Sequence, residues 1–367
     1  MAHGIGVLGL GSVFQGPYLH QIQRLASTDR VHLVAGWDPD PQKREDAAAR
    51  LSIDTSMDSA QALIERDDVD IVVVLTAMNP HGALAAAALD AGKHVLVEKP
   101  MATSLDEAAH LVELSGTSAG RLVCAPHVIL SPTFRELHRR VHEGDIGSVL
   151  SARARYGWAG PWWGDWFYAP GGGALFDLGV YNLTSLCGLM GSVNRVTALA
   201  GVAIPHRPSE GRSIEVAAED NAHVLLDFGD SRFASILTGF TLQKYRSPAI
   251  ELYGTDGVLQ LMGDDWAPEG FEKWSNERQT WEVFPESTPN WPWTDGLRHL
   301  VDCIDDGTAP LIDPRHAYHA LEVMLAAKQS AREGRVVEVG STFPDIAYPS
   351  TVANTDDGRR RHDPRGE

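Results

Sequence analysis

Short apolar runs alternate with amphipathic stretches along the first third of the chain. Ile5–Leu8, Val31–Trp37, Ile71–Leu75, His94–Val97 and Leu122–Cys124 read as strands. Pro17–Ala26, Gln42–Arg50, Ala83–Ala91 and Leu105–Leu114 read as helices between them. Continuous apolar strands separated by helices predict a parallel sheet covered on both faces. After Ser131 the pattern changes. One helix, Pro132–His142, leads to a strand near Val149–Tyr156, and a second helix is predicted from about Ala174 to Leu189. Longer alternating strands follow at Arg195–Val202, His223–Phe228, Phe233–Phe240 and Ile250–Tyr253, with glycine turns between them. Two helices near Asp295–Asp305 and Pro314–Arg332 close the ordered pattern, and polar sequence runs on from Pro349.

These periods predict an α/β domain over residues 1–125 and an α+β domain with an open, mostly antiparallel sheet over 126–345. Residues 346–367 read as a disordered tail. A chain of 367 residues suits two domains. The alternating strands leave a sheet face to be covered, so a homo-oligomer is expected. A net charge of −18 disfavours nucleic acid and anionic membranes as partners. No apolar stretch is long enough for a bilayer. Cys124, Cys187 and Cys303 lie far apart, which speaks against a disulfide framework and a metal site. Together with the absence of a basic, apolar leader, this predicts a soluble cytoplasmic protein.

The first strand ends in Gly9-Leu10-Gly11-Ser12-Val13-Phe14. A dinucleotide fingerprint expects glycine at the first, third and sixth places, and here Phe14 takes the sixth. Gly9 permits the tight turn, and Gly11 lets the amides of Ser12 and Val13 approach a pyrophosphate. Phe14 requires the helix to sit further out, or to start later near Gly16-Pro17. Two glycines after a strand often make only a turn. Here, however, the second strand ends in Asp38, where a carboxylate accepts both ribose hydroxyls and repels a 2′-phosphate. A Rossmann fold that binds NAD follows, with Asp40 as the helix cap. Lys43 and Arg44 keep NADP as second choice. The other strand ends carry Thr76, His81, Glu98, Lys99 and His127, all candidates by position.

Gly171-Gly172-Gly173 precedes Asp177 and Tyr181, which are spaced for one helix face. A tyrosine is a poor base at its reference pKa of roughly 10. A nearby ammonium such as Lys99 would lower that value, giving a proton relay of Lys99, Asp177 and Tyr181. Taken singly, each residue has a plainer reading as a surface lysine, a turn cap or a core tyrosine. Four tryptophans fall within nine residues from Trp158 to Trp166. Trp163 and Trp166 could stack on a sugar ring, with Asp165 on its hydroxyls, or the loop could serve packing or subunit contact.

The degenerate glycine fingerprint, Glu98-Lys99-Pro100, and Gly171-Gly172-Gly173 with Asp177 and Tyr181 together resemble the Gfo/Idh/MocA oxidoreductases, to about residue 345. The resemblance implies a Rossmann domain, an open sheet used in oligomerisation, and NAD(P)-dependent oxidation or reduction of sugars and cyclic polyols. It implies that Lys99 is the active-site lysine and Asp177 the helix aspartate. Tyr181 stands where many members have histidine, similar to the glucose–fructose oxidoreductase and dihydrodiol dehydrogenase branches, in which tyrosine is the proposed acid/base. Two stretches depart from the family. Thr76-Ala77-Met78 replaces Thr-Pro-Asn, and Pro126-His127-Val128-Ile129 replaces Asn-x-Arg-Phe. Both bear on the substrate. Two other readings share the fold: an NAD-dependent glycosidase working by transient oxidation and elimination, and a non-catalytic dinucleotide sensor.

Overall fold

The computed structural model describes residues 2–348. Its first sheet contains β1 (His3–Leu8), β2 (Val31–Trp37), β3 (Ile71–Val74), β4 (His94–Val97) and β5 (Leu122–Cys124), all parallel, in the order β2-β1-β3-β4-β5. The run Ile71–Val74 is wholly buried, as a strand covered on both faces must be. Helices α1 (Leu19–Ala26), α2 (Pro41–Leu51), α3 (Ala60–Ile64), α4 (His81–Asp90) and α5 (Leu105–Thr117) connect the strands. Three start on sequence-encoded caps. Asp40 accepts from the Gln42 amide beside Pro41, Ser59 from Ala62 and Ser104 from Glu107. The strand order reverses between β1 and β3, which opens a crevice at their carboxyl ends.

The second sheet has nine strands. After α6 (Pro132–His142) come β6 (Val149–Gly157), α7 (Val180–Met190) and β7 (Arg195–Gly201). A separate hairpin, β8 (His206–Ser209) with β9 (Arg212–Glu215), stands apart from the sheet. Then follow β10 (Asn221–Asp227), β11 (Phe233–Gly239), β12 (Ile250–Gly254), β13 (Gly257–Asp264), β14 (Ala267–Ser275) and β15 (Thr280–Pro285). Helices α8 (Gly296–Asp306) and α9 (Pro314–Glu333) precede β16 (Val337–Glu338). The order is β15-β14-β13-β12-β6-β11-β10-β7-β16, and among the described residues only β6 and β11 of this sheet pair in parallel.

One face of this sheet packs on α6, α7 and α9. The other exposes Leu199, Leu225 and Phe233. The last helices also close the first sheet, α8 against β4 and β5, and α9 against β5 and α5. The pattern did not give the β8–β9 hairpin, β13, β14, β15 or β16. In β14 and β15, Pro268, Gly270 and interspersed charges break the alternation of an edge hairpin. Residues 346–348, read as the start of a disordered tail, are packed instead. Ile346 is buried, and the Tyr348 hydroxyl donates to the Ile129 carbonyl (2.6 Å). The remainder of that tail lies outside the described residues.

Candidate active site

The glycine turn stands at the switch point. Gly9 has φ +101, and a Cβ on it would lie 2.6 Å from the Leu75 carbonyl carbon, so only glycine fits. A Cβ on Gly11 would meet nothing within 4 Å, which leaves open space beside the first amides of the helix. That helix does not start late, as Phe14 suggested. It begins at Ser12 and passes through a π-helical segment, Phe14–Tyr18, before α1. The wide turn takes up Phe14, fully buried where the third glycine would stand, together with Pro17, which has no amide to donate. Asp38 is buried at the end of β2. Its Oδ2 accepts from the Leu10 amide (2.9 Å) and its Oδ1 from Asp40 (3.0 Å). Lys43 stands 3.9 Å away, and Arg44 donates to the Asp38 carbonyl (2.6 Å).

Two of the strand-end candidates face inward. His81 is buried with Nδ1 2.8 Å from the Pro100 carbonyl and Nε2 3.0 Å from that of Thr76. Burial lowers the His81 pKa and keeps the ring neutral, so its single N–H donates to one of these two carbonyls while the ring is wedged between the two loops, and the direct cofactor contact expected of His81 gives way to a scaffolding position. The Thr76 hydroxyl donates to Ala77 (3.1 Å). His127 is buried, with Nδ1 3.0 Å from the Trp293 carbonyl. A Cβ on Gly296 would fall 2.2 Å from its ring, so His127 is packed under α8 rather than presented to the crevice. Glu98 joins the two halves of the site. It accepts from the Tyr18 hydroxyl (2.7 Å) and from the Lys99 amide (3.0 Å). Burial first, then Glu98, pushes the Tyr18 hydroxyl well above its ordinary pKa.

Lys99, Asp177 and Tyr181 converge. Asp177 lies in a second π-helical segment, Leu175–Gly179, which runs on into α7. Lys99 Nζ donates to Asp177 Oδ1 (2.5 Å) and to the Asp177 carbonyl (2.8 Å), and stands 5.3 Å from the centre of the Tyr181 ring. The Tyr181 ring meets Tyr156 of β6 edge to face at 5.5 Å. The expected lowering of the tyrosine pKa is reversed. Burial, reinforced by Glu98, Tyr156, Asp177 and Asp265, raises Tyr181 well above its ordinary value. The lysine charge is held on Asp177, so the resting hydroxyl is neutral.

The aromatic loop is built as a stack. Trp158 and Trp163 lie 5.4 Å apart, and Trp166 covers Phe167 at 3.6 Å. Trp162, Trp163 and Trp166 are exposed. Asp165, expected on substrate hydroxyls, is ion-paired with Arg212 of β9. Arg207 of β8 donates to the Ala159 carbonyl (2.7 Å) and pairs with Asp220 (2.9 Å), which clamps the hairpin onto the loop. The Gly173 amide donates to the Phe167 carbonyl (2.9 Å), and this turn starts the Asp177 helix. Sequence reasoning missed Tyr18 and Tyr156. One sits in a helix and one at a strand end, and nothing in their local pattern separates them from core tyrosines.

Residues 3–124 match the oxidoreductase family with an NAD-binding Rossmann fold, and residues 134–260 match the GFO/IDH/MocA C-terminal domain. The chain belongs to the Gfo/Idh/MocA oxidoreductase family. A dTDP-3,4-didehydro-2,6-dideoxy-alpha-D-glucose 3-reductase of Saccharopolyspora spinosa is 30% identical over 70% of this chain and 73% of its own. A trans-1,2-dihydrobenzene-1,2-diol dehydrogenase of Macaca fascicularis is 27% identical over 94% and 99%. The structure of levoglucosan dehydrogenase in complex with NADH superposes with a TM-score of 0.81 at 20% identity, covering 93% of this chain and 100% of that one, which shows a shared fold. The chain is thus an oxidoreductase with an NAD-binding domain. The glycine cradle and Asp38 fit that cofactor in shape and charge.

Proposed function

We propose that this oxidoreductase moves a hydride reversibly between NAD and a secondary alcohol of a sugar, glycoside or cyclic polyol. The convergence of the Lys99–Asp177 pair with Tyr181 beside the glycine cradle carries this reading. NAD, when bound, supplies the hydride acceptor. Gly9, Gly11, Ser12 and Val13 hold the pyrophosphate with backbone amides, Asp38 takes the ribose hydroxyls, and Thr76 and Glu98 line the nicotinamide end. Asp177 fixes the Lys99 ammonium, which orients the reacting hydroxyl. Tyr181, neutral at rest, gives a proton in the reductive direction and must first lose its own in the oxidative one. Trp163 and Trp166 offer aromatic faces to a sugar ring, and Asp165 serves by holding their loop through Arg212.

A screen of sugars, glycosides and cyclic polyols with NAD, read by absorbance of NADH and product mass, tests the assignment. Net NADH is expected. Cleavage of a glycoside without net NADH would replace it by the oxidation–elimination route. NAD is expected to bind tighter than NADP, and Asp38→Ser to narrow the gap. Titration of both cofactors into the wild type decides it, and equal or tighter NADP binding reverses the preference.

The bare face of the second sheet supports a homo-oligomer. Leu199 is 77% and Leu225 59% exposed, on adjacent strands whose other faces are buried. A Leu199→Glu/Leu225→Glu variant is expected to fall to monomer with its melting temperature little changed. Light scattering that finds the wild type monomeric at micromolar concentration rejects this. Three buried free thiols, Cys124, Cys187 and Cys303, support a reducing compartment such as the cytoplasm. Among the described residues no helix is long and apolar enough to cross a membrane.

A further inference from the structure

Behind the tyrosine helix lies a buried acid that the reaction scheme leaves unused. Asp265 occupies the turn between β13 and β14 and is 2% exposed. Its Oδ2 accepts from Asn182 Nδ2 and Ser185 Oγ, both at 3.1 Å and both on α7. Asn182 follows Tyr181 directly. The same turn reaches Tyr181 a second way, since Trp266 packs on Tyr156 (6.2 Å) and Tyr156 meets the Tyr181 ring. Asp265 Oδ1 and Asn182 Oδ1 are both buried without a donor. Two bare acceptors in one buried pair are costly, and a proton on the carboxyl adds the donor the pair lacks.

Among the described residues Asp265 forms no ion pair, and its nearest charged neighbour in sequence is another acid. Asp264 lies beside it on the turn, with its Oδ1 taken by the Tyr245 hydroxyl (2.5 Å) of the loop after β11. Tyr156 of β6 and Tyr181 of α7 present phenols, and the Lys99 ammonium beyond them is committed to Asp177. Burial, aided by Asp264, pushes the Asp265 carboxyl up to about 7.

We propose that Asp265 is a positioning residue for Tyr181. Uncharged, it anchors the tyrosine helix to the β13–β14 hairpin, and on losing its proton it holds the Tyr181 hydroxyl back from ionising. This rests on Tyr181 as the proton-transfer group. An exposed carboxylate at the same sequence position would neither bridge the two elements nor act on the phenol through a dry interior.

Asp265→Asn tests it in the full chain. The amide mimics the neutral acid, keeping an acceptor for Asn182 and Ser185 and adding a donor. In stability, the neutral carboxyl favoured by the fold must ionise as pH rises from the ordinary carboxylate value to about 7. The melting temperature of Asp265→Asn relative to wild type is therefore expected to climb across that window and level off above it. The tyrosinate absorbance that Tyr181→Phe removes should appear at lower pH in the Asp265→Asn background. With a substrate from the screen, alcohol oxidation should match wild type near pH 6 and run roughly three- to tenfold faster near pH 9, the scale of one like charge removed from a partly polar interior. A melting difference that stays constant with pH, or a Tyr181 absorbance unmoved by the substitution, overturns the proposal. Neither reading needs turnover, so a chain that oxidises nothing in the screen ends the hydride-transfer assignment and still leaves Asp265 decided.

Discussion

Tyr181→Phe is expected to lower turnover by roughly 10²–10⁴, the usual worth of one proton-transfer group, while NAD affinity hardly changes. The Tyr181 ring lies against Lys99 and Tyr156, and losing its oxygen leaves these ring contacts in place. Direction matters here because burial and neighbouring acids raise the Tyr181 pKa. Below that value the hydroxyl is protonated, so it is ready as an acid and scarce as a base. Oxidation should then accelerate with pH, by up to about tenfold per unit while the phenolate is a minority form. Reduction should stay flat over the same range. In Tyr181→Phe the oxidative slope should vanish. A merely structural tyrosine predicts a lower melting temperature and unchanged turnover of the folded fraction, so rate and melting curve belong on the same preparation. Near-full turnover in Tyr181→Phe would end the mechanism.

Lys99→Met is expected to cost as much activity, for a different reason from the one the sequence suggested. Burial and the neighbouring acids raise the tyrosine pKa in spite of the ammonium. That ammonium is bound by the Asp177 carboxylate at 2.5 Å and by the Asp177 carbonyl at 2.8 Å. Removing it strands a buried carboxylate, at a cost of about 3–5 kcal/mol for breaking one side of a buried pair, discounted for the residual solvent access of this one. Turnover should fall roughly 10²–10⁴-fold, and the melting temperature should fall with it. Lys99→Met/Asp177→Leu removes both charges and should recover most of the stability and none of the activity. The triple variant with Tyr181→Phe should be no slower, because groups acting as one unit are not additive. Stability that fails to return in the double variant would show that the pair is not the structural bond described.

The five parallel strands, the glycine turn and Asp38 were legible because each depends on local order. Apolar runs, two glycines and a carboxylate at a strand end need only the chain near them. Lys99, Asp177 and Tyr181 were legible through a family resemblance, since Lys99 and Asp177 are far apart in sequence. Tertiary structure decided the rest. The sequence shows that His81 and His127 follow strands, but only packing turns their rings onto the carbonyls of Pro100, Thr76 and Trp293. Asp165 reads as a free acid until hairpin β8–β9 brings Arg212 to it. Phe14 reads against an early helix until a π-turn absorbs it. The charge on Lys99 illustrates the physical reason. Whether an ammonium lowers a neighbouring phenol's pKa or is spent on a carboxylate depends on distances of a few ångströms and on burial. Periodicity and motif place residues on elements, while those distances and that burial arise only when the elements pack.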